Sequence, residues 1–382
     1  MRLLHTSDWH VGKTIRGHSR HDEHAAVLDE IVAITDEQQV DVVLVAGDIF
    51  ESSAPAPESE ALVYRTLLRL AETAGHVVVI SGNHDNARRL HAVTPLFELG
   101  NVDLLSEAVS PDAGGFRRLA IGDESLNLAL LPFVSQRGII RAADLMEGAA
   151  FENANVYADR LRVLIELLTS GFDTDSVNVV MAHAFVLGGT AGGGERSAHL
   201  VEEYALTAQA FPATASYVAL GHLHRPQKIA GPAPIHYCGS PLQLDFGEQR
   251  QAKQVNIIDA VAGTPSAVTA VPLTSGRGLQ TVTGTLAELR KIHGDLGDEW
   301  LRVRVDEPRR SDLADDVRAL LGAGVVDVEV LQTADAEPVH RERRLGRDPL
   351  ESFSEFLDEQ GIDDDRLKAM FVEFLEDTEA PS

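Results

Sequence analysis

Nine side chains of the kinds that bind divalent metal ions or move protons follow five short apolar runs of this chain. Runs of this length, rich in valine, leucine and isoleucine, are typical of buried parallel strands. Because ligands of open α/β sheets gather outside the carboxyl ends of the strands, five such ends can bring these side chains to one crevice. The nine residues are Asp8 and His10, Asp48, Asn83, His84 and Asp85, His183, and His222 with His224.

The spacing and chemistry of these residues predict a centre of two metal ions. Asp8 and His10 are two positions apart, as are His222 and His224, so in extended backbone each pair faces one point. Carboxylate, imidazole and amide oxygen in the absence of thiolate suit manganese, iron(II) or zinc. Seven candidate ligands are too many for one tetrahedral ion, and they fit two ions roughly 3.5–4 Å apart that share Asp48.

His84 is expected to differ from the other histidines. It directly follows Asn83, and the two side chains cannot easily point at the same ion from an extended strand. The neighbouring Asp85 can accept a hydrogen bond and favour the protonated imidazole. A cationic histidine beside a metal-bound phosphate is suited to protonate a leaving alkoxide. We therefore predict that His84 is the general acid and that Asp85 supports it.

The joint motifs resemble the calcineurin-like metallophosphoesterase superfamily. The flanking residues 4–12, 45–50 and 239–241 are similar to the SbcD family, the nuclease subunits of bacterial SbcCD break-repair complexes, and the likeness runs to about residue 378. The resemblance implies an α/β fold with a β-sandwich core, flanking helices, a small α+β capping domain and C-terminal helices. It also implies a metal-dependent DNA nuclease, a 3′–5′ double-strand exonuclease and single-strand or hairpin endonuclease that serves repair, recombination and replication.

The resemblance further implies which residues hold which of two manganese ions. One ion would be held by Asp8, His10, Asp48 and His224, and the other by Asp48, Asn83, His183 and His222. His84 would be the catalytic acid that protonates the departing sugar oxygen, with Asp85 as its orienting partner. Archaeal relatives have a histidine where this chain has Glu51, so a role of that histidine in steering DNA does not carry over.

The net charge is unusual for a protein that binds DNA by itself. The 33 Lys and Arg against 59 Asp and Glu give −26 over 382 residues, whereas such proteins usually carry a basic surface. Three explanations stay open: a substrate other than DNA, a basic partner that holds the DNA, or a local basic rim. The partner is favoured, and an acidic or salt-adapted proteome would give the same charge.

Composition also bounds the compartment. Cys238 is the single cysteine, which excludes an internal disulfide and suits a reducing cytoplasm. No leader peptide is apparent, and no apolar run approaches the ~20 residues that span a bilayer. We therefore expect a cytoplasmic, nucleoid-associated protein that makes no membrane contact.

Four regions are predicted along the chain: a nuclease domain over 1–275, the α+β capping domain over 276–334, a basic linker over 335–347 and a helical partner-binding tail over 348–378. In the first, helices over 58–72 and 87–99 cover the sheet, and the resemblance implies that helices of this region form a homodimer contact. In the second, strands over 279–285, 300–305 and 325–331 alternate with helices over 286–292 and 313–321.

The tail carries an apolar stripe at helical spacing. No further chain remains to cover it, which favours docking into the groove of a partner. The resemblance supplies that partner, the base of the coiled coil of the SbcC-type ABC ATPase, with the homodimer inside a heterotetramer that binds DNA ends and hairpins. The stripe consists of Leu350, Phe353, Leu357, Leu367, Met370, Phe371, Phe374 and Leu375.

Two other functions remain open at this point. A stand-alone di-metal phosphodiesterase or phosphatase acting on small substrates fits the acidic charge, but it gives the tail no purpose. A non-catalytic metal-binding scaffold fits the fold, but the intact ligand set together with His84 and Asp85 argues against it.

Overall fold

A computed structural model describes residues 1–135, 157–195 and 205–331 together with seven residues of the tail. Met1–Leu331 and Gln332–Ser382 are separate compact units, and each is described by itself. The described tail residues are Phe353, Ser354, Leu357, Arg366, Leu367, Met370 and Phe371.

The first unit alternates strands and helices. In chain order the strands are β1 (Arg2–Thr6), β2 (Thr14–Ile15), β3 (His18–Ser19), β4 (Val42–Ala46), β5 (His76–Ile80), β6 (Val102–Leu105), β7 (Phe116–Ile121), β8 (Glu124–Leu131), β9 (Val177–His183), β10 (Tyr217–Gly221), β11 (Gln227–Ile229), β12 (Ile235–Tyr237), β13 (Gln254–Asp259), β14 (Ala267–Pro272), β15 (Leu279–Gly284), β16 (Trp300–Val305) and β17 (Val325–Val330). The helices are α1 (His21–Glu37), α2 (Pro57–Ala74), α3 (Ala87–Glu98), α4 (Tyr157–Leu168), α5 (Leu286–Ile292) and α6 (Leu313–Leu321).

Two six-stranded mixed sheets pack face to face. The first has the order β14-β13-β1-β4-β5-β6, and β1, β4, β5 and β6 run parallel. The second has the order β11-β12-β10-β9-β8-β7, and β12, β10, β9 and β8 run parallel. Alternate side chains of both sheets meet in one buried cluster, as expected for a sandwich, and this cluster includes Leu3, Leu44, Val78, Leu128, Val179 and Met181.

Helices cover the outer face of each sheet. α1, α2 and α3 bury Leu28, Leu67 and Leu90 in one cluster with strand residues of the first sheet. α4 buries Leu161 and Leu164 in a second cluster with residues of the other sheet. The predicted sandwich with flanking helices is thereby confirmed, and α2 and α3 coincide with the helices predicted over 58–72 and 87–99.

The three remaining parallel strands, β15, β16 and β17, form a small sheet that α5 and α6 connect. The predicted strands and helices of this region are confirmed to within one residue. The sequence predicts an α+β unit; because all three strands run parallel, each helix returns the chain to the start of the next strand, which is β–α–β connectivity. The small sheet belongs to the same compact unit as the sandwich.

The described tail residues are all helical. The rings of Phe353 and Phe371 stack with their centroids 4.1 Å apart, so part of the predicted apolar stripe packs against itself. Leu357 is buried, whereas Met370 is 64% exposed. The basic linker over 335–347 and the stripe residues Leu350, Phe374 and Leu375 lie outside the described residues.

Within the ranges that the structure describes, no helix has both the length and the apolar composition that crossing a membrane requires.

Candidate metal centre

The five apolar runs are strands, and their carboxyl ends meet at one edge of the sandwich. Asp8 follows β1, Asp48 follows β4, and Asn83 follows β5; His183 ends β9, and His222 follows β10. The two sheets approach so closely here that His183 Nδ1 lies 2.8 Å from the carbonyl oxygen of Ala46 in the other sheet. The predicted convergence of the ligands is therefore present in the structure.

The convergence of Asp8 and His10 has a different cause from the one that the spacing suggests. Both residues adopt positive φ, 52° and 47°, so this segment is not extended backbone. Trp9 between them is fully buried and donates from Nε1 to Thr6 Oγ1 at 2.9 Å. The buried indole holds a left-handed turn from which both ligand side chains leave on the same side.

Positive φ recurs at two further ligands, Asp48 at 50° and His222 at 105°. Non-glycine residues rarely adopt this conformation, and each costs on the order of 1–3 kcal/mol, an expense that concentrates at functional sites. The backbone amide of His222 donates to Asp8 Oδ1 at 2.9 Å, and that of His84 donates to Asp48 Oδ1 at 2.8 Å. Each strained loop is therefore held by a ligand carboxylate of another loop.

Glycines allow these loops to approach one another. A Cβ on Gly82 would lie 2.1 Å from Asp48 Oδ1, and a Cβ on Gly221 would lie 1.8 Å from the carbonyl oxygen of Ala46. Both distances are far below van der Waals contact. These positions are restricted to glycine by the space that the neighbouring ligand loop occupies.

The first metal position is the cluster of Asp8, His10, Asp48 and His224. Asp8, His10 and His224 have ligand atoms within 4.8 Å of one another, and the Nε2 atoms of the two histidines are 3.1 Å apart. Asp48 Oδ2 lies 3.5 Å from His10 Nε2. The four side chains are buried, so they form a preorganised donor set.

The second metal position is the cluster of Asp48, Asn83, His183 and His222. Asn83 Oδ1 lies 3.1 Å from His183 Nε2 and 2.9 Å from His222 Nδ1. Asp48 Oδ2 is also 3.5 Å from His183 Nε2. Asp48 therefore lies between the two positions, where the sequence predicts a shared carboxylate.

The donor atoms fit a cation better than they fit one another. His10 Nδ1 and His224 Nδ1 both face carboxylates and must carry their protons there, so the two Nε2 atoms meet as lone pairs when the rings are neutral. Burial alone would lower the pKa of His183, but the Asp48 carboxylate raises it to about 9. Without metal, the second position thus attracts a proton, which a metal ion would displace.

The central carboxylate is strongly anionic. Burial would raise the pKa of Asp48, but His183, His10 and His84 hold it well below its usual range. An ionised carboxylate between two imidazole clusters is the donor that two divalent ions share.

His84 lies beside the first position. Its ring centroid is 4.7 Å from that of His10, and it forms a potential ligand cluster with His10 and Asp48. Its Nδ1 donates to the carbonyl oxygen of Glu51 at 2.7 Å. That carbonyl fixes the orientation of the ring.

Asp85 has a different position from the one that the sequence suggests. Its carboxylate accepts hydrogen bonds from the backbone amides of Gly82, Ile49 and Phe50, at 2.8, 3.3 and 3.0 Å. Burial and the nearby Asp48 raise the pKa of Asp85 to about 6. Asp85 ties the Asn83-His84 loop to the loop after β4, and the contact that orients His84 Nδ1 comes from Glu51.

Two carboxylates behind the histidines had no signal in the sequence. Glu51 Oε2 lies 2.9 Å from His10 Nδ1, and Glu248 Oε1 lies 3.1 Å from His224 Nδ1. Lys13 and Lys253 form ion pairs with them at 2.8 and 2.7 Å. Burial opposes ionisation, but the histidine and lysine partners lower the pKa of each glutamate to about 2. No local motif links Glu248 to His224, because only the fold brings them together.

Glu195 supports the loop that carries His224. Its carboxylate accepts from the backbone amides of Gly192, Gly193 and His224 at 2.6, 2.8 and 2.9 Å. The glycine-rich segment after β9 therefore packs against a ligand loop, which explains why this segment lies next to His183 in the sequence.

Comparison with known proteins agrees with the geometry. Residues 1–226 match the calcineurin-like phosphoesterase family. The SbcD nuclease of the SbcCD complex of Bacillus subtilis (strain 168) is 37% identical over 290 residues, 73% of this chain and 71% of that protein. The SbcD nuclease of Escherichia coli (strain K12) is 28% identical over 379 residues, 94% and 91% of the two chains. A dimetal phosphatase structure from Danio rerio is 10% identical, with a TM-score of 0.38 and coverage of 72% and 99%. The chain therefore belongs to the calcineurin-like phosphoesterase family: it is a metal-dependent, phosphodiester-hydrolysing enzyme similar to the nuclease subunits of bacterial SbcCD complexes.

Proposed function

We propose that this chain is the manganese-dependent DNA nuclease subunit of an SbcCD-type complex. It degrades duplex ends from 3′ to 5′ and cuts single strands and hairpins, in association with an ABC-type ATPase. The observation that carries the proposal is the convergence of seven metal-binding side chains and His84 at one edge of the sandwich. The similarity to SbcD nucleases over most of the chain supports DNA as the substrate.

The two ions, when bound, supply Lewis-acid chemistry: they lower the pKa of a water molecule and neutralise charge on the phosphoryl oxygens. Manganese is proposed because carboxylate, imidazole and amide donors suit it. Asp48 joins the two positions, and the strained loops of Asp8, His10 and His222 hold their donors in place before substrate arrives. Little reorganisation is then needed during the reaction.

His84 is the proposed proton donor to the departing sugar oxygen. Because its Nδ1 proton is committed to the carbonyl of Glu51, Nε2 is the nitrogen that exchanges a proton with substrate. The Asp48 carboxylate accepts from the amide of His84, which places the residue at the edge of the metal cluster. Asp85 contributes by holding the loop through three backbone amides.

The partner proposals rest on exposed apolar side chains. Leu96 and Leu99, at the end of α3, are 69% and 87% exposed, and Leu68 of α2 is 39% exposed. We assign this face to the homodimer contact, since the other apolar residues of these helices face the core. We assign the tail, with Leu367 and Met370 exposed, to the ATPase coiled coil. The substrate would locate the complex at the nucleoid in the cytoplasm.

The direct test is cleavage of end-labelled duplex and hairpin DNA by the full chain, with manganese or with a chelator, alone and with the coiled-coil ATPase. We expect cleavage that requires manganese and is stimulated by the ATPase. Asp48→Asn is the matched control, because it removes the shared charge while preserving the size of the side chain. Hydrolysis of small phosphodiesters without any cleavage of DNA would contradict the proposal.

A further inference from the structure

We infer that the two metal positions are unequal, and that Glu51 and Glu248 make the first position the tighter one by holding its two histidines in the metal-binding tautomer. The inference rests on the proposed two-metal function and deepens it. It assigns a positioning role to two carboxylates that contact the histidines and belong to neither proposed donor set.

Glu51 orients His10. Its Oε2 lies 2.9 Å from His10 Nδ1, and its Oε1 accepts from Lys13 Nζ at 2.8 Å. The proton on Nδ1 points at the carboxylate, so Nε2 presents its lone pair to the metal position. An anionic acceptor on Nδ1 also makes Nε2 a better donor to a metal.

Glu248 orients His224 in the same way. Its Oε1 lies 3.1 Å from His224 Nδ1, while Oε2 accepts from Lys253 Nζ at 2.7 Å and from the amide of Leu244 at 3.0 Å. Lys253 also donates to the carbonyl oxygen of His224 and to Ser240 Oγ, both at 2.9 Å. Glu248 is fully buried, and the lysine supplies the counter-charge that a buried carboxylate requires.

The second position has no equivalent support among the described residues. His183 Nδ1 donates to the neutral carbonyl of Ala46, and the amide oxygen of Asn83 is a neutral donor to the metal. The first position has two carboxylates of its own, Asp8 and Asp48, whereas the second has only the shared Asp48. Donor charge and ligand orientation therefore both favour the first position, which should fill first.

The test is a titration of the metal-free full chain with Mn²⁺, followed by calorimetry and by electron paramagnetic resonance. In the wild type, the first equivalent should give the spectrum of an isolated ion, and the exchange-coupled spectrum should develop with the second. Glu51→Gln and Glu248→Gln should weaken the tight class about 10–100-fold, the usual effect of losing such a partner. In both variants the coupled spectrum should develop together with the isolated one.

Two further variants locate the effect. Asn83→Ala should weaken the second class and leave the tight class intact. Glu60→Gln removes another ion-paired carboxylate, the one bound by Arg89, and should change neither class. Glu51 is 28% exposed, so Glu51→Gln provides the test if Glu248→Gln does not fold.

An unchanged tight class in Glu51→Gln, or its loss in Asn83→Ala, would overturn the inference. Equal weakening of both classes in Glu51→Gln would do the same, because it would indicate a general effect on the fold. These outcomes are distinguishable from failure of the proposed function. In that case the wild type would bind no manganese pair or would leave DNA intact, whatever happened in the variants.

Discussion

At the scale of single residues, the site depends on side chains that the backbone holds in unfavourable conformations. Asp8, His10, Asp48 and His222 all have positive φ without being glycine. Buried Trp9 and the carboxylate-to-amide hydrogen bonds between loops maintain these conformations. The ligands are therefore rigid before metal binds, and small intrusions into their loops should have large effects.

Gly82→Ala tests this rigidity. The new Cβ would lie 2.3 Å from the backbone nitrogen of Asp48 as well as against its carboxylate, and backbone cannot easily give way. We expect a loss of about 1–3 kcal/mol of stability and markedly weaker manganese binding, measured by thermal melting and calorimetry. Gly294→Ala is the control, because a Cβ there meets nothing within 4 Å. Unchanged metal affinity in Gly82→Ala would show that the loops are pliable.

His84→Ala separates metal binding from proton transfer. We expect the variant to retain two manganese ions, since all seven proposed ligands remain, and to lose cleavage by about 10²–10⁴-fold, the usual contribution of a general acid. Metal content and DNA cleavage are measured on the same sample. Near-normal cleavage would reject His84 as the acid.

At the scale of elements, α1 connects the sandwich to the small sheet. Arg20, just before α1, is fully buried and donates to Glu23 Oε2 at 2.7 Å and to the carbonyl oxygen of Arg277 at 3.2 Å. Glu23 also accepts from the amide of Arg277 at 2.8 Å and from Trp300 Nε1 at 2.8 Å. The guanidinium of Arg277 lies over the Trp300 ring, 3.8 Å from its centroid. These contacts fix the small sheet against the nuclease core.

Acid should loosen this junction. Burial opposes ionisation, but Arg20, Trp300 and Arg277 lower the pKa of Glu23 from its ordinary value of 4.5. A lowered folded-state pKa means that the stabilisation is present above about pH 4.5 and is lost as the pH falls through the folded value. We expect Glu23→Gln to cost about 1–2 kcal/mol at pH 7 and to flatten the acid dependence of unfolding.

Urea unfolding across pH 3 to 7 measures this effect, with Glu166→Gln as the control. Glu166 forms an exposed i,i+4 pair with Arg162, so its loss should change stability by less than about 0.5 kcal/mol. If Glu23→Gln has the same acid profile as the wild type, Glu23 does not hold the junction.

Elements with strong periodicity were predictable, whereas contacts that depend on the fold were not. The strands β15, β16 and β17 and the two helices between them follow from alternation and helical spacing alone. The hairpin of β2 and β3 is only two residues per strand, too short to give a periodic signal. Glu248 is 24 residues from His224, and its role depends on a buried lysine. The ligands were predictable because each follows a strand, but their left-handed turns were not.

At the scale of the whole molecule, the charge of −26 opposes the approach of DNA. Many arginines in the described ranges are ion-paired with acidic neighbours, including Arg89, Arg118, Arg302 and Arg304. Arg225 is different: it is exposed, directly follows the ligand His224, and forms no ion pair with any described residue. It is the cation best placed to meet a phosphate beside the metal centre.

We therefore expect the chain alone to bind duplex DNA weakly, in the micromolar range or above at physiological salt, with an affinity that falls as salt rises. Fluorescence anisotropy over a salt series, with calcium in place of manganese to prevent cleavage, gives the slope of log affinity against log salt. Arg225→Gln should reduce that slope by about 1, because one phosphate contact is lost. Arg318→Gln, an exposed arginine paired with Asp315 on α6, should leave it unchanged. Nanomolar binding without the ATPase would mean that the acidic surface does not limit access, and a basic partner would then not be needed to hold the DNA.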